Sequence, residues 1–291
     1  MRKVYKFSKK TAYIMKGVIL AGGKGLRLYP LTKVTNKHLL PVGREPMILN
    51  PIRKLLEAGI KDILVITSTE HMGHLVNLLG SGQEYKANFT YKVQESALGI
   101  AHALSLAENF ANGDKIVVIL GDNITSGSLV PYVQKFMQQE KGAKVLLKKV
   151  EDPSRFGVAA IDEQHVLEIE EKPNQPKSNF AVIGYYMYDL NVFDIIKNMK
   201  PSARGEYEIT DVNNEYIRRG ELTYDFLDAD WTDAGTFDSL LVANKMILKT
   251  LGVEHDSKQV SDDQLKDMIE DKAKKIQELE KYLGGSANEE K

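Results

Sequence analysis

Cysteine is absent from this sequence of 291 residues, and tryptophan occurs only once. The lack of cysteine excludes disulfide bonds, thiol nucleophiles and cysteine-based zinc sites, and it suits the reducing cytoplasm, where we expect the protein to reside. Long apolar runs are also lacking. None approaches the roughly 18 residues that span a bilayer, so we expect no association with membranes.

The sequence also has no excess of charge of one sign. It contains 39 basic and 40 acidic residues, which gives a formal net charge of -1. A general nucleic-acid-binding protein is usually basic, so we expect no nucleic acid partner. The overall balance still allows a local cationic pocket that binds a small anion.

The chain divides into three segments. Residues 1–15 are basic, and their apolar stretch is too short for a signal peptide, which predicts an N-terminal extension. Residues 16–252 contain nothing that resembles a linker and are predicted to form one domain. In residues 253–291, apolar side chains recur at helical spacing between Leu265 and Leu283, which predicts a helical C-terminal extension packed on the domain or on a second subunit.

Apolar runs and amphipathic segments alternate through the first half of the domain. The runs predict strands over 18–21, 62–68, 89–93, 115–120 and 143–150, and the amphipathic segments predict helices over 46–59, 99–110 and 129–139. Continuous Val/Ile/Leu strands separated by helices indicate a largely parallel sheet covered on both faces. We therefore predict a doubly wound, Rossmann-like α/β fold, in which ligands bind beyond the carboxyl ends of the strands.

The second half of the domain has a different pattern. Alternating residues predict a hairpin over 158–173 and strands over 180–189 and 222–235, while helices are predicted over 208–220 and 236–252. The hairpin would form a small β region inserted into the α/β fold.

A glycine-rich turn follows the first predicted strand in GVILAGGKGLRLYPLT, residues 17–32. It lacks the third glycine of G-x-G-x-x-G and the G-K-[ST] ending of a Walker loop. A tight turn through Gly22, Gly23 and Gly25 would still let backbone amides approach a polyphosphate, and Arg27 could bind phosphate oxygens through two hydrogen bonds. The alternative is a simple turn with solvated cations.

Three further patterns place charged residues at predicted strand ends. Asp122 in GDN and Asp233 in WTDAGT could share a Mg²⁺ ion, or each could serve only as a turn or helix-capping residue. In EEKP, Glu171 could accept hydrogen bonds from sugar hydroxyls and Lys172 could neutralise a phosphate, although exposed hairpin charges are common. The His71 and His74 pair is interpreted as a polar helix start rather than a metal site.

Taken together, the motifs resemble those of one family. GVILAGGKGLRLYP, TNKHLLPV, VILGDN, EIEEKP, PSARGEYEITD and WTDAGT occur in the order seen in the sugar-1-phosphate nucleotidylyltransferases. The resemblance covers about Met15 to Leu251, and it is strongest to the members that join dTTP to glucose 1-phosphate. It implies Mg²⁺ as cofactor and a homo-oligomer, either a dimer or a tetramer.

The resemblance also implies roles for individual residues. The nucleotide would be bound by Leu20, Gly22, Gly23, Gly25, Gln94 and Gly99, with Gln94 reading the thymine edge. The sugar and its phosphate would be bound by Asn123, Gly157, Glu171, Lys172, Ile183 and Arg204. Mg²⁺ would be held by Asp122 and Asp233, and catalysis would depend on Arg27, Lys37, Lys172 and Asp122.

The sequence departs from the family pattern near both expected substrates. Phe156 stands where the family usually has tyrosine, and Leu98 and His102 replace more usual residues near the base. A UTP-using enzyme, or one acting on another sugar 1-phosphate, is therefore an alternative. Two further alternatives are a glycosyltransferase that uses the D-x-D pattern of Asp228–Asp230, and a regulatory relative that binds nucleotide sugars without making them.

Overall fold

The computed structural model describes residues 15–253, and its elements belong to one compact unit that reaches Leu251. Predictions for residues 1–14 and 254–291, including the C-terminal helix, lie outside the described residues. The strands are β1 Met15–Ala21, β2 Pro41–Val42, β3 Glu45–Pro46, β4 Asp62–Thr67, β5 Asn88–Val93, β6 Lys115–Leu120, β7 Asn123–Thr125, β8 Ala143–Lys149, β9 Gly157–Ile161, β10 Val166–Glu171, β11 Phe180–Tyr188, β12 Leu222–Phe226 and β13 Trp231–Asp233. The α-helices are α1 Leu49–Glu57, α2 Met72–Leu79, α3 Ile100–Ser105, α4 Glu108–Ala111, α5 Val130–Gln138, α6 Asn191–Lys197, α7 Ile209–Arg218 and α8 Phe237–Thr250.

The main sheet has the order β12-β8-β11-β6-β1-β4-β5. Parallel pairs join β12 to β8, β6 to β1, β1 to β4 and β4 to β5, whereas β11 pairs antiparallel with both of its neighbours. The antiparallel hairpin β9–β10 pairs with the first residues of β11. The prediction of a largely parallel, Rossmann-like sheet flanked by helices, with a small inserted β region, is confirmed.

Both faces of this sheet are buried, which explains the continuous apolar runs. Along β1, Val18 and Leu20 pack into one core cluster, whereas Ile19 and Ala21 pack into another. Successive side chains of a strand point to opposite faces, so a strand covered on both sides must be apolar throughout. Helices α3, α6 and α7 contribute to the first cluster, and α1, α2 and α5 contribute to the second.

Several predicted boundaries differ from the structure. The single strand predicted over 222–235 is wrong: β12 pairs with β8, whereas β13 pairs with β7 in a separate two-stranded sheet. The helix predicted over 99–110 is divided between α3 and α4, because the amides of Leu106 and Ala107 bond to carbonyls three residues earlier and tighten the turn there. Helix α1 begins only at Leu49, since Glu45–Pro46 pairs with Pro41–Val42.

Helix α6 was not predicted from the sequence, and of α2 only the start near His71 was predicted. α2 has eight residues and α6 has seven, so neither displays a long apolar period. The helix start predicted around His71 does precede α2. No helix within residues 15–253 is long and apolar enough to cross a membrane.

Candidate active site

The pairing of β1 with β6 aligns Leu20 with Leu120, so the segments that follow these strands lie side by side at one edge of the sheet. A two-lobed cleft opens there. The glycine lobe has a volume of about 250 Å³ and is lined by Leu20, Gly22, Gly23, Lys37, His38, Gln94, Ala97, Gly99, Ile100, Ala103, Leu120, Asp122 and Glu206. The hairpin lobe, of about 280 Å³, is lined by residues that include Arg27, Asp122, Asn123, Arg155, Gly157, Glu171, Lys172, Ile183, Thr210, Trp231 and Asp233. The two lobes share Ile100, Leu120 and Asp122.

The glycine turn after β1 has the backbone that its sequence demands. Gly23 and Gly25 adopt φ angles of 93° and 60°, a region that side-chain-bearing residues rarely occupy. A Cβ atom at Gly25 would also lie 2.8 Å from Cγ2 of Thr32, whose hydroxyl donates to the Gly25 carbonyl at 2.9 Å. Gly25 is absent from the cleft lining, so the structure gives it a role in shaping the turn, while Gly22 and Gly23 line the glycine lobe.

Asp122 lies at the junction of the two lobes and forms a close ion pair. The Nζ atom of Lys37 lies 2.5 Å from Oδ2 of Asp122, and Nδ2 of Asn123 donates to Oδ1 at 3.0 Å. Burial would raise the pKa of the Asp122 carboxyl, but the charge and hydrogen bond of Lys37 outweigh it and hold this pKa well below its usual value. Asp122 is therefore an ionised carboxylate at neutral pH.

Asp233 is brought beside Asp122 by the small sheet of β7 and β13. In that sheet Asp233 pairs with Asn123, and the amide of Ala234 donates to the Asp122 carbonyl at 2.8 Å. Burial and the negative charge of Asp122 both raise the pKa of Asp233, although Arg155, 3.5 Å from the Asp233 carboxylate, acts in the opposite direction. Two carboxylates that repel each other in a buried cleft would be stabilised by a divalent cation.

The donor set suits Mg²⁺ in particular. Among residues 15–253 the structure contains no cluster of three or more His, Cys, Asp or Glu side chains that could hold a metal. Mg²⁺ does not require such a cluster, because it commonly binds one or two carboxylates and takes its other ligands from water and substrate phosphates. Asp122 and Asp233 supply that minimal set.

Asn123 lines the hairpin lobe, but its side chain is engaged within the protein. Its Oδ1 accepts hydrogen bonds from the Gly184 amide and from Nε1 of Trp231, both at 2.9 Å, while its Nδ2 bonds to Asp122. Asn123 is 3% exposed, and the hydroxyl of Tyr185 donates to its backbone carbonyl. The structure therefore makes Asn123 a positioning residue that links Asp122, β11 and β13.

Glu171 and Lys172 lie at the end of β10, as the EEKP motif suggested. The Thr210 hydroxyl donates to Oε2 of Glu171 at 2.6 Å, and Nζ of Lys172 lies 3.4 Å from Oε1. Lys172 has a positive φ of 46°, and its amide donates to the Phe156 carbonyl at 3.0 Å. A left-handed backbone at a residue other than glycine is rare, and it orients the Lys172 side chain at the turn that follows the hairpin.

Arg204, like Gly25, is a predicted site residue that lines neither lobe. Its side chain is 43% exposed, and its guanidinium pairs with Glu206 at 2.9 Å and Glu208 at 3.2 Å. Two of its partners line the cleft: Glu206 lines the glycine lobe, and Glu171, 3.9 Å away, lines the hairpin lobe.

Several residues that line the cleft were not predicted from the sequence. Arg155 contacts Asp233 and also lies over the Phe156 ring, 5.5 Å from its centroid; that ring packs edge-on against Trp231. Nothing in the segment DPSRFG distinguishes Arg155 from a surface arginine.

His38 is a second residue that was not predicted, and it is buried in the glycine lobe. Burial lowers its pKa to about 3, so this imidazole is neutral at neutral pH.

Comparisons with known proteins agree with this geometry. A family model described as nucleotidyl transferase matches residues 16–250. A glucose-1-phosphate thymidylyltransferase from Neisseria meningitidis serogroup A is 42% identical over 245 residues, which cover 83% of this chain and 85% of the relative. A Bacillus anthracis protein, provisionally named glucose-1-phosphate thymidylyltransferase and solved with sucrose, is 58% identical, with a TM-score of 0.78 over 82% of this chain and 96% of that chain. A UDP-glucose pyrophosphorylase solved with UDP-glucose is 25% identical, with a TM-score of 0.72 over 81% of this chain and 99% of that chain.

Proposed function

Because this chain belongs to the nucleotidyl transferase family, we propose that it joins dTTP to glucose 1-phosphate, releasing diphosphate and forming dTDP-glucose. The observation that carries this proposal is the junction of the cleft. There Asp122 lies between a lobe bounded by the glycine turn and a lobe bounded by the Glu171–Lys172 hairpin. Two substrates bound in the two lobes would meet at the carboxylates.

The glycine lobe suits the nucleotide. Gly22 and Gly23 bring backbone close to the lobe without side chains, and Lys37 supplies a cation. Gln94, which lines this lobe beside Gly22, presents an amide that can pair with the imide edge of thymine or uracil. Arg27 lies against Gly235 on the hairpin side, where its guanidinium would meet the phosphate chain.

The hairpin lobe suits the sugar phosphate. Oxygen atoms of Glu171 can accept hydrogen bonds from sugar hydroxyls, and the backbone at Gly157 and Ile183 leaves room for a ring. Lys172 and Arg155 offer positive charge to the phosphate. Arg204 would join them only by moving from its glutamate partners at the rim.

The reaction requires positioning more than acid–base chemistry. A sugar 1-phosphate is mostly dianionic at neutral pH, because its second pKa is about 6. One of its oxygens attacks the α-phosphorus of the triphosphate, and the bond from that phosphorus to the bridging oxygen breaks, so that diphosphate leaves with the bonding electron pair. The residues of the cleft bring the two anions together and stabilise the charge that develops on the leaving group.

Asp122 and Asp233 would hold Mg²⁺, which when bound neutralises phosphate charge. Lys37 orients the Asp122 carboxylate through its ion pair, and Asn123 fixes the same carboxylate from the other side. These contacts hold Asp122, one of the two proposed ligands, in place.

The alternatives are less well supported. A glycosyltransferase would use the D-x-D pattern, but Asp228 and Asp230 are exposed on the link between β12 and β13, and neither lines either lobe. A regulatory relative without activity would have no need of the complete set of Lys37, Asp122 and Asp233. A UTP-using enzyme remains the nearest alternative, although the UDP-glucose pyrophosphorylase has much lower identity than the thymidylyltransferase relative.

We further propose that the chain is cytoplasmic and forms a homo-oligomer, a dimer or a tetramer. The absence of cysteine from the sequence supports the cytoplasmic location. In the sequence of residues 253–291, apolar residues recur at helical spacing, and this pattern supports the homo-oligomer.

Substitution of Asp122 tests the proposed function. We expect Asp122→Asn to lower diphosphate release from dTTP, glucose 1-phosphate and Mg²⁺ by about a thousandfold or more, because the central carboxylate is lost. Asp230→Asn, a change of the same kind at an exposed site, should leave the rate within about twofold of wild type. Unchanged turnover by Asp122→Asn at an unaltered melting temperature would remove Asp122 from the mechanism. Sugar transfer from a UDP-sugar without diphosphate release would instead support the glycosyltransferase.

A further inference from the structure

The amide of Gln94 has a fixed orientation in the glycine lobe. Its Nε2 atom lies 3.3 Å from the Gly99 carbonyl oxygen and 3.1 Å from Nδ1 of His102. An amide nitrogen carries two hydrogens, so these two acceptors use the full donor capacity of the Gln94 side chain. The residue is 9% exposed, and its backbone amide is anchored on the Thr67 carbonyl at 2.8 Å.

The carbonyl oxygen of the same amide remains available to a ligand. Within residues 15–253 the structure records no donor to Oε1 of Gln94. This atom lies near the glycine turn, 3.2 Å from the position that a Cβ atom at Gly22 would take. Gly22 and Gln94 both line the glycine lobe. The glycine lobe therefore presents a hydrogen-bond acceptor, Oε1 of Gln94, to a bound ligand.

His102 and the Gly99 carbonyl together hold the nitrogen end of the Gln94 amide away from the lobe. Its Nδ1 can accept a hydrogen bond from Gln94 only if the ring is neutral and carries its proton on Nε2. The imidazole is held in α3 and lies 6.2 Å, centroid to centroid, from the ring of Tyr207. If the amide turned over, the Gln94 oxygen would face the Gly99 carbonyl, which can only accept, and it would gain a donor from His102 only if the ring proton moved to Nδ1.

We propose that His102 is a positioning residue that sets base specificity by holding the Gln94 amide with its oxygen toward the base. This inference rests on the proposed function, in which the glycine lobe binds the nucleotide. An acceptor at Oε1 complements the N3–H donor of thymine or uracil. Cytosine presents an acceptor at N3, so its complex would leave two acceptors facing each other.

Two substitutions at position 102 separate orientation from packing. His102→Leu introduces an apolar side chain of similar reach and removes the acceptor. His102→Gln keeps an acceptor oxygen and alters the ring packing. Measurement of kcat/KM for dTTP and for dCTP, each with glucose 1-phosphate and Mg²⁺, gives the discrimination ratio for every variant.

We expect His102→Leu to lower the dTTP-to-dCTP ratio of kcat/KM by about tenfold or more, because an amide held only by the Gly99 carbonyl can turn over and present an N–H group to cytosine. The change should appear mainly in KM for the nucleotide, with KM for glucose 1-phosphate unaltered. His102→Gln should retain the ratio within about threefold. An unchanged ratio in His102→Leu, or an equal loss in both variants, would overturn the proposal.

Product formation by the wild-type protein distinguishes a failure of the proposed function from a failure of the proposed role of His102. If it forms product from dTTP while His102→Leu leaves the ratio unchanged, the proposed function stands and the role of His102 is wrong. If wild type forms no product from dTTP or UTP, the proposed function fails and this inference fails with it. Calorimetric titration with dTMP and dCMP gives the same comparison without turnover, and there His102→Leu should weaken the preference for dTMP.

Discussion

At the scale of single residues, the cleft places basic side chains against its carboxylates. Lys37 contacts Asp122, and Arg155 contacts Asp233. The sequence predicted the two aspartates because each lies at a predicted strand end, and it predicted Lys37 because the TNKHLLPV motif resembles that of the family. It could not predict Arg155, whose place beside Asp233 depends on contacts between distant parts of the chain.

Arg155 provides the first test at this scale. We expect Arg155→Gln to lower kcat/KM for glucose 1-phosphate by about 10- to 100-fold, since one charge-assisted hydrogen bond to phosphate contributes about 1.5–3 kcal/mol. The control is Arg53→Gln, which removes a surface arginine paired with Glu45. It should leave steady-state kinetics unchanged. Equal kinetics for Arg155→Gln and wild type would show that Arg155 only packs against Phe156.

At the scale of elements, the small sheet of β7 and β13 brings Asp233 to the end of β6. Strand β11 supports it through the Gly184 amide, which donates to Asn123. The continuous strands were predictable because burial on both faces imposes apolar runs. The division of 222–235 into β12 and β13 was not, since the pairing partners β8 and β7 are distant in sequence.

Two glycine substitutions test this arrangement. A Cβ atom at Gly184 would lie 2.6 Å from Nδ2 of Asn123, whereas a Cβ atom at Gly73, within α2, would meet nothing within 4 Å. We expect Gly184→Ala to displace Asn123, destabilise the fold by about 1–3 kcal/mol and lower kcat. Gly73→Ala should instead stabilise the fold by about 0.5–1 kcal/mol without altering kcat. Urea unfolding and steady-state kinetics measure both effects, and wild-type kcat in Gly184→Ala would contradict the positioning role of Asn123.

At the scale of the whole molecule, one sheet gathers the functional side chains at a single edge. The motifs, their order and the alternation of strands and helices could all be identified from the sequence. The order of strands in the sheet was not, because parallel pairing joins segments that are far apart and leaves no local signature. The position of Arg204 at the rim was equally unpredictable, since it depends on its ion pairs with Glu206 and Glu208.

The central claim is that this edge lets two anionic substrates react directly with each other. The most direct test incubates the protein with Mg²⁺ and dTTP labelled with ³²P at the α-phosphorus, with and without glucose 1-phosphate. Our account expects labelled dTDP-glucose and an equal amount of unlabelled diphosphate, formed only when both substrates are present, and no label on the protein. Label retained on the protein, or diphosphate released without sugar phosphate, would contradict it.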